Sequence, residues 1–572
     1  MRAVLLATLL FFGAGCSQRM SSDRPELTHA HTAPVAATQP TPFAAPLISE
    51  ATLKEVTRVL SSDAFEGREP GTPGEAKTLA YLVEQFQAAG LKPGNNGSWF
   101  QDVPLVELNA RNVSPLAFTG GSKSLSFSYG PQMVVSSYQV TPRIDVRNSE
   151  VVFVGYGINA PERGWNDYAG LDVRGKTVVI LVNDPDWETK TLDGPFGGRA
   201  MTYYGRWTYK YEEAARQGAA AALIVHQTEP AAYGWNVVQS SWTGAQQVAD
   251  AVNGHMDQSR AIGWIGLDQA KALFASGGQD LDRLAAAAKV KGFRPVALGG
   301  VKASVSFDMA VRKHASKNVI GILPGASRPD EYVLYTAHWD HLGRCEKAAD
   351  GDDICNGAID NATGTAALVA LAEANFKAGP TPRSQVFLAV TAEESGLLGS
   401  AYYGANPVYP HAKTVGGVNI DAMQLASPAR NVVVVGKGKS ELDAFLDRAL
   451  AAQGRVATAE PTPEKGFYYR SDHFSLAKQG VPMLYFDGGD DLVAGGTAAG
   501  AAYAAAYEKD RYHGPADEFD PAWDWSGALR DAEIYYAVGR ALATSEAWPN
   551  WVAGDEFRAI RDRSRSGATA AR

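Results

Sequence analysis

Residues 389–400 read AVTAEESGLLGS. An apolar run that starts upstream at SQVFLAV (384–390) ends in two adjacent glutamates, Glu393 and Glu394. Like charges repel, and burying either carboxylate is costly unless something compensates it. Successive residues of a regular strand face opposite ways, so the pair must sit where the strand gives way to a turn. Other apolar runs end in the same manner. EYVLYTAHWDH (331–341) delivers His338, followed by Trp339 and Asp340, and TVGGVNIDAM (414–423) delivers Asp421. VPMLYFDGG (481–489) is a further strand, and NATGTAALVALAEANFKAG (361–379) is a helix between strands. Such alternation predicts an α/β fold with a mainly parallel central sheet and helices on both faces.

In open α/β sheets, ligands bind beyond the carboxyl ends of the strands. Three apolar strands therefore bring metal-type side chains to one edge. Asp360, in GAIDNATGT (357–365) before a helix, and His513, in RYHGPADEFD (511–520), are further candidates. Each has an ordinary alternative: Asp360 as an N-cap, Asp421 as a turn residue, the glutamates as a solvated surface pair. The conjunction decides. Two histidines and three carboxylates suit hard or borderline divalent metals, zinc above all. Two divalent cations would offset the converging carboxylates, a device of many hydrolases. One glutamate then ligates a metal while its neighbour takes a proton from the activated water.

The rest of the chain frames this edge. The sequence has 572 residues, 53 Lys+Arg against 62 Asp+Glu and a formal net charge of −9, which argues against nucleic acid as a partner. Residues 1–16 read as a signal peptide, with small residues before Cys16 that also resemble a lipoprotein cleavage box. Lipidation at Cys16 would be the sole membrane attachment; the alternative is a plain signal peptide. Either way the chain is exported, to the periplasm or, as a lipoprotein, to the bacterial cell envelope. Residues 17–46 read as a disordered tether and 551–572 as a flexible basic tail. Two helices are expected between Leu53 and Ala89, broken by GREPGTPGE (67–75), where Arg68 reads as a loop salt-bridge partner. GGDDLVAGGTAAGAAYAAAY (488–507) reads as a mobile loop leading into a short helix. Cys345 and Cys355 form a disulfide or remain two free thiols; export favours the bridge.

The motifs HWDHLG, GAIDNATGT, TAEESGLLGS, NIDAM, RSDHFSLAKQGVP and YHGPADEFD, in this order, resemble metallopeptidase family twenty-eight, the co-catalytic zinc exopeptidases that include bacterial leucyl-type aminopeptidases and glutamate carboxypeptidase. The resemblance implies a discontinuous zinc peptidase domain (47–139 and 302–550) interrupted by a smaller α+β protease-associated insert (140–301). The insert is expected to supply a lid or wall rather than chemistry. By the same resemblance His338 and Asp421 hold one Zn2+, Glu394 and His513 hold the other, and Asp360 bridges them, although other divalent metals suit these ligands too. Glu393 becomes the general base, Asp340 orients His338, and Tyr512 polarises the scissile carbonyl. Asp360–Asn361 matches a family position that takes a cis peptide. Tyr469, Arg470 and Asp472 match a loop lining the substrate pocket, whereas His341 and His473 are not expected to be ligands.

The expected function is an exported two-zinc aminopeptidase acting on peptides. A carboxypeptidase of the glutamate carboxypeptidase type stands as an alternative. So does a glutaminyl-peptide cyclotransferase-like enzyme, which uses one zinc and no hydrolytic water. A non-catalytic binding module is a further possibility, against which the intact Glu393 and Glu394 speak.

Overall fold

The structure, a computed structural model, describes residues 48–345 and 347–569. The signal segment, Cys16 and the tether lie outside the described residues. No helix among the described residues is long and apolar enough to cross a membrane.

Eight strands carry the main sheet: β1 (Phe100–Arg111), β2 (Val296–Leu323), β3 (Arg328–His338), β4 (Arg383–Val390), β5 (Thr414–Asn419), β6 (Asn431–Val434), β7 (Val456–Ala459) and β8 (Met483–Gly488). Their spatial order is β1-β2-β4-β3-β5-β8-β6-β7. The middle four, β4, β3, β5 and β8, are mutually parallel, so their carboxyl ends meet at one edge. β2 and β6 run antiparallel on either side of them.

The period of two explains why both faces are covered. Val333, Tyr335 and Ala337 of β3, with Phe387 and Ala389 of β4, enter one core. Leu334, Val386, Leu388 and Val390 enter the other. The first core is closed by α1 (Glu50–Leu60), α2 (Pro73–Ala88), α3 (Gly364–Lys377), α5 (Asp443–Ala452) and α8 (Ser526–Thr544). The second is closed by α4 (Leu398–Ala405) and α6 (His473–Ala477). Helix α3 is buried on every side from Gly364 to Ala372, as its run of Ala, Leu and Val requires.

Three expectations need correction. The inserted unit is larger than 140–301. Its core recruits Val106, Leu108, Leu116, Phe118 and Met133 upstream, and Val305, Phe307 and Met309 downstream. The reason is that β1 and β2 are too long for one unit: β2 runs 28 residues and joins both cores without a linker. The expected flexible tail is instead anchored. Trp551, Phe557 and Arg561 are buried, and Arg561 on α9 (Arg558–Thr569) donates to the carbonyls of Thr414 (2.8 Å) and Val415 (2.9 Å). The Gly/Ala-rich segment forms a 15-residue helix, α7 (Gly496–Asp510), which leads directly into Tyr512 and His513.

The lobe built on the insert is docked against the body. Met201 N–H donates to the Pro463 carbonyl (3.1 Å), and Arg199 lies 3.4 Å from Glu464. Tyr203 packs on Phe474, with ring centroids 5.2 Å apart, and on Tyr469.

Candidate metal centre

Beyond the carboxyl ends of β3, β4 and β5, three backbone turns do what a regular strand cannot. Ala392, just before Glu393, has φ +52°, Ala422, just after Asp421, has φ +57°, and His513 itself has φ +55°. Left-handed backbone costs a non-glycine residue about 1 kcal/mol or more, and such positions cluster at functional sites. At Ala392 the turn lets both neighbouring glutamates serve one site. The peptide between Asp360 and Asn361 is cis.

All five expected donors converge. His338 Nε2 lies 3.1 Å from Asp421 Oδ1 and 3.3 Å from Asp360 Oδ1. His513 Nε2 lies 3.1 Å from Glu394 Oε2 and 3.3 Å from Asp360 Oδ2. Asp360 thus offers one oxygen to each half of the site. Two N/O donors held about 2.0–2.1 Å from a tetrahedral cation stand roughly 3.4 Å apart, so this donor set fits a divalent cation in each half. His338, Asp360 and Asp421 form one such group. His341, not expected to be a ligand, reaches Glu394 Oε1 through Nδ1 at 2.7 Å and groups with Asp360 and Glu394.

Asp340 departs from expectation. Its carboxylate is 3.8 Å from His338 Nδ1, too far for a hydrogen bond, whereas its backbone carbonyl is at 3.2 Å. A proton on Nδ1 shared with that carbonyl leaves Nε2 free as a donor to a cation. The Asp340 carboxylate instead accepts from the Glu393 N–H at 3.1 Å, and so fixes the glutamate turn.

The Asp360 loop is tied on several sides. Asn361 Oδ1 accepts from Gly364 N–H (2.9 Å) and Ala422 N–H (3.0 Å), and its amide donates to the Ile420 carbonyl (3.0 Å). Asp517, fully buried, accepts from the N–H groups of Ile359 and Asp360 at 3.1 Å. A Cβ at Gly357 (φ +54°) would lie 2.2 Å from the Asp360 carbonyl oxygen, so only glycine fits there. Neither Asp517 nor His341 was expected as a site residue. Asp517 was visible only as part of YHGPADEFD, and His341 only as a neighbour of His338.

The electrostatics separate the two glutamates. Burial pushes the Glu393 carboxyl well above its ordinary value; His338 opposes this, while Asp421 and Glu394 add to it. Burial also acts to raise Glu394, but His513 and His341 outweigh it and bring that carboxyl down to about 2. Burial disfavours the charged imidazoles of His338 and His513, yet the carboxylates around each raise both well above 6.5. Positive charge is thus favoured in both halves of the site.

The pocket residues divide. Tyr512 is half exposed and stacks on His513, with centroids 3.9 Å apart. Tyr469 and Asp472 are buried, at 8% and 1% exposure, in the same range as His338 and Asp360. Burial raises Asp472 to about 7, with His338 opposing and Asp421 and Glu394 adding to the rise. Arg470 keeps exposed surface. Its guanidinium lies 5.2 Å from the Phe467 ring and 6.0 Å from the Tyr233 ring of the lobe. Arg206 of the lobe shares this region: burial, then the Arg470 charge, lower it to about 10. Arg206 Nε and Arg470 Nε and Nη2 are buried with no hydrogen-bond partner among the described residues. His473 is buried away from any donor group. Cys345 and Cys355 are joined by a disulfide beside the loop that carries His341.

The model of Peptidase family M28 matches residues 318–538, the span that holds every donor named above. This segment belongs to peptidase family M28. This chain is 31% identical over 128 residues to Aminopeptidase NAALADL1 of Mus musculus, covering 21% of this chain and 16% of that protein. It is 32% identical over 114 residues to a Glutamate carboxypeptidase 2 homolog of Caenorhabditis elegans, covering 19% and 13%. The matches thus span about one-sixth or less of these relatives' lengths. Among solved structures, an aminopeptidase from Aneurinibacillus sp. strain AM-1 aligns over 88% of this chain and 95% of its own, with 20% identity and a TM-score of 0.49.

Proposed function

We propose that the protein is a zinc-dependent exopeptidase with two metal ions, most readily an aminopeptidase that releases N-terminal residues. One observation carries this reading: Asp360 splits its two oxygens between a His338/Asp421 half and a His513/Glu394 half, with Glu393 beside His338 and Glu394. His338 and Asp421 would hold one ion and His513 and Glu394 the other, with Asp360 shared between the two halves. Bound there, the ions supply an acidified water and polarise the substrate carbonyl. Glu393 takes the proton of the attacking water and returns it to the leaving amine. Tyr512, on the rim beside His513, donates to the developing oxyanion. Asp340 holds the Glu393 backbone in place. The Cys345–Cys355 bridge supports an oxidising, extracytoplasmic setting.

A second reading, for the same chemistry on a different end of the peptide, rests on the paired arginines. Both side chains are part-exposed, but Arg206 Nε and Arg470 Nε and Nη2 are buried without a partner among the described residues, which is costly unless an anion reaches them. A substrate carboxylate entering between Arg206 and Arg470 would satisfy both. This favours substrates with an acidic residue or a free C-terminus at the cleaved bond.

The test is a panel of aminoacyl-anilides and N-blocked peptides, acidic and neutral, with and without chelator. Chelator-sensitive release of N-terminal residues supports the first reading. Cleavage of N-blocked peptides alone, lost in Arg206→Met and Arg470→Met, replaces it with the second. Turnover insensitive to chelation in a protein without zinc removes both.

A further inference from the structure

The M28 match begins at residue 318, yet one buried cation against the site comes from far upstream. Arg68 is 0% exposed. Expected from the sequence as a salt-bridge partner, it forms no ion pair among the described residues and is satisfied by backbone. Nε donates to the Trp339 carbonyl at 2.9 Å, Nη1 to Leu60 (2.8 Å) and Asn356 (2.6 Å), and Nη2 to Gly357 (2.9 Å). Trp339 directly follows His338, and Asn356–Gly357 lead into Asp360.

The turn that presents Arg68 is tightly built. Glu66, Gly67 and Arg68 are all left-handed, with φ of 52°, 65° and 52°. A Cβ on Gly67 would lie 2.5 Å from the Cys355 carbonyl oxygen and 2.6 Å from that of Gly343. The turn is therefore wedged against the disulfide-closed hairpin. Burial lowers the guanidinium to about 10, so it remains charged near neutral pH, and Asp340, Asp517, Asp360 and Glu394 surround it with negative charge.

We propose that Arg68 is a positioning residue of the metal centre, its guanidinium fixing the backbone that carries His338 relative to the backbone that carries Asp360. Its charge also offsets the carboxylates before any cation arrives. A planar fork suits this role, because three nitrogens reach four carbonyls on three separate segments. A lysine ammonium is a point charge with three donors and cannot span them. The inference rests on the two-zinc reading of the site.

The experiment compares wild type, Arg68→Lys and Arg68→Met with a control, Arg383→Lys. Arg383 is equally buried and donates to Glu331 and the Leu542 carbonyl, but stands at the opposite end of β4 from Glu393. Zinc dissociation constants are measured by chelator competition, and thermal melts are recorded on the metal-free proteins. Arg68→Lys should weaken zinc binding by about 10–100-fold, the range for supporting residues around metal ligands, and Arg68→Met by at least as much. Arg383→Lys should lower the melting temperature and leave zinc affinity unchanged. Wild type that binds no zinc would sink the functional reading. Wild type that binds zinc beside an Arg68→Lys variant of equal affinity overturns the inference alone. Failure of both Arg68 variants to fold with zinc present also overturns it, because that marks a scaffold role only.

Discussion

Glu393→Gln separates the roles assigned to the two glutamates. The change keeps size and leaves His338, Asp360, Glu394, Asp421 and His513 untouched. Removing a general base costs roughly 10²–10⁴ in turnover, equivalent to about 3–5 kcal/mol of barrier. Zinc content should stay at the wild-type level and KM should change little. The metal-free protein should respond in the opposite direction. Burial holds the Glu393 carboxyl above its ordinary 4.5, so the folded state binds that proton more tightly than the unfolded state. Ionised Glu393 therefore costs stability once the pH rises above about 4.5, at about 1.4 kcal/mol per unit of displacement. Glu393→Gln removes this cost, so the metal-free variant should be more stable than wild type at pH 7 and lose that advantage near pH 4. The assays are anilide hydrolysis, metal analysis and denaturant titration at the two pH values. Full turnover would refute the base assignment; loss of zinc would show that Glu393 is itself a ligand.

Three further outcomes follow from the geometry. Zinc binding to the metal-free protein should release protons, because His338 and His513 are held protonated by their carboxylate neighbours; calorimetry in buffers of different ionisation enthalpy reads this, and identical heats would contradict it. Asp517→Ala leaves two buried N–H groups, of Ile359 and Asp360, without acceptors, and should cost roughly 2–5 kcal/mol in denaturant titration together with zinc affinity. Reducing the Cys345–Cys355 bridge opens a loop with a sequence separation of 10 and should cost about 2–3 kcal/mol; an unchanged melting temperature under reductant would show that the bridge constrains little.

The sheet and three donors, His338, Glu394 and Asp421, were legible because two local signals coincide, apolar strands of alternating facing and ligand-type residues at their ends; Asp360, before a helix, and His513, after one, gained weight only beside them. The remaining features depend on contacts that local sequence does not carry. Arg68 meets Trp339 across 271 residues and works through backbone carbonyls, which leave no trace in side-chain pattern. Arg206 belongs to a lobe expected to offer only a wall, and its proximity to Arg470 exists only once the lobe is docked. The tail looks disordered by composition, but a tryptophan, a phenylalanine and one arginine suffice to anchor it.

Strand β2 also sets an order of events. The ribosome makes its partner β1 first, then the lobe, and only afterwards β2, whose Val319 pairs with Phe100 and with Ala389. β2 leaves the ribosome before β3, β4 and β5, so the β1–β2 pair that carries the lobe can form before any strand that bears a metal donor exists. The inserted lobe thus sits between two strands that must meet for the sheet to gain this edge, and its folding brings their ends together.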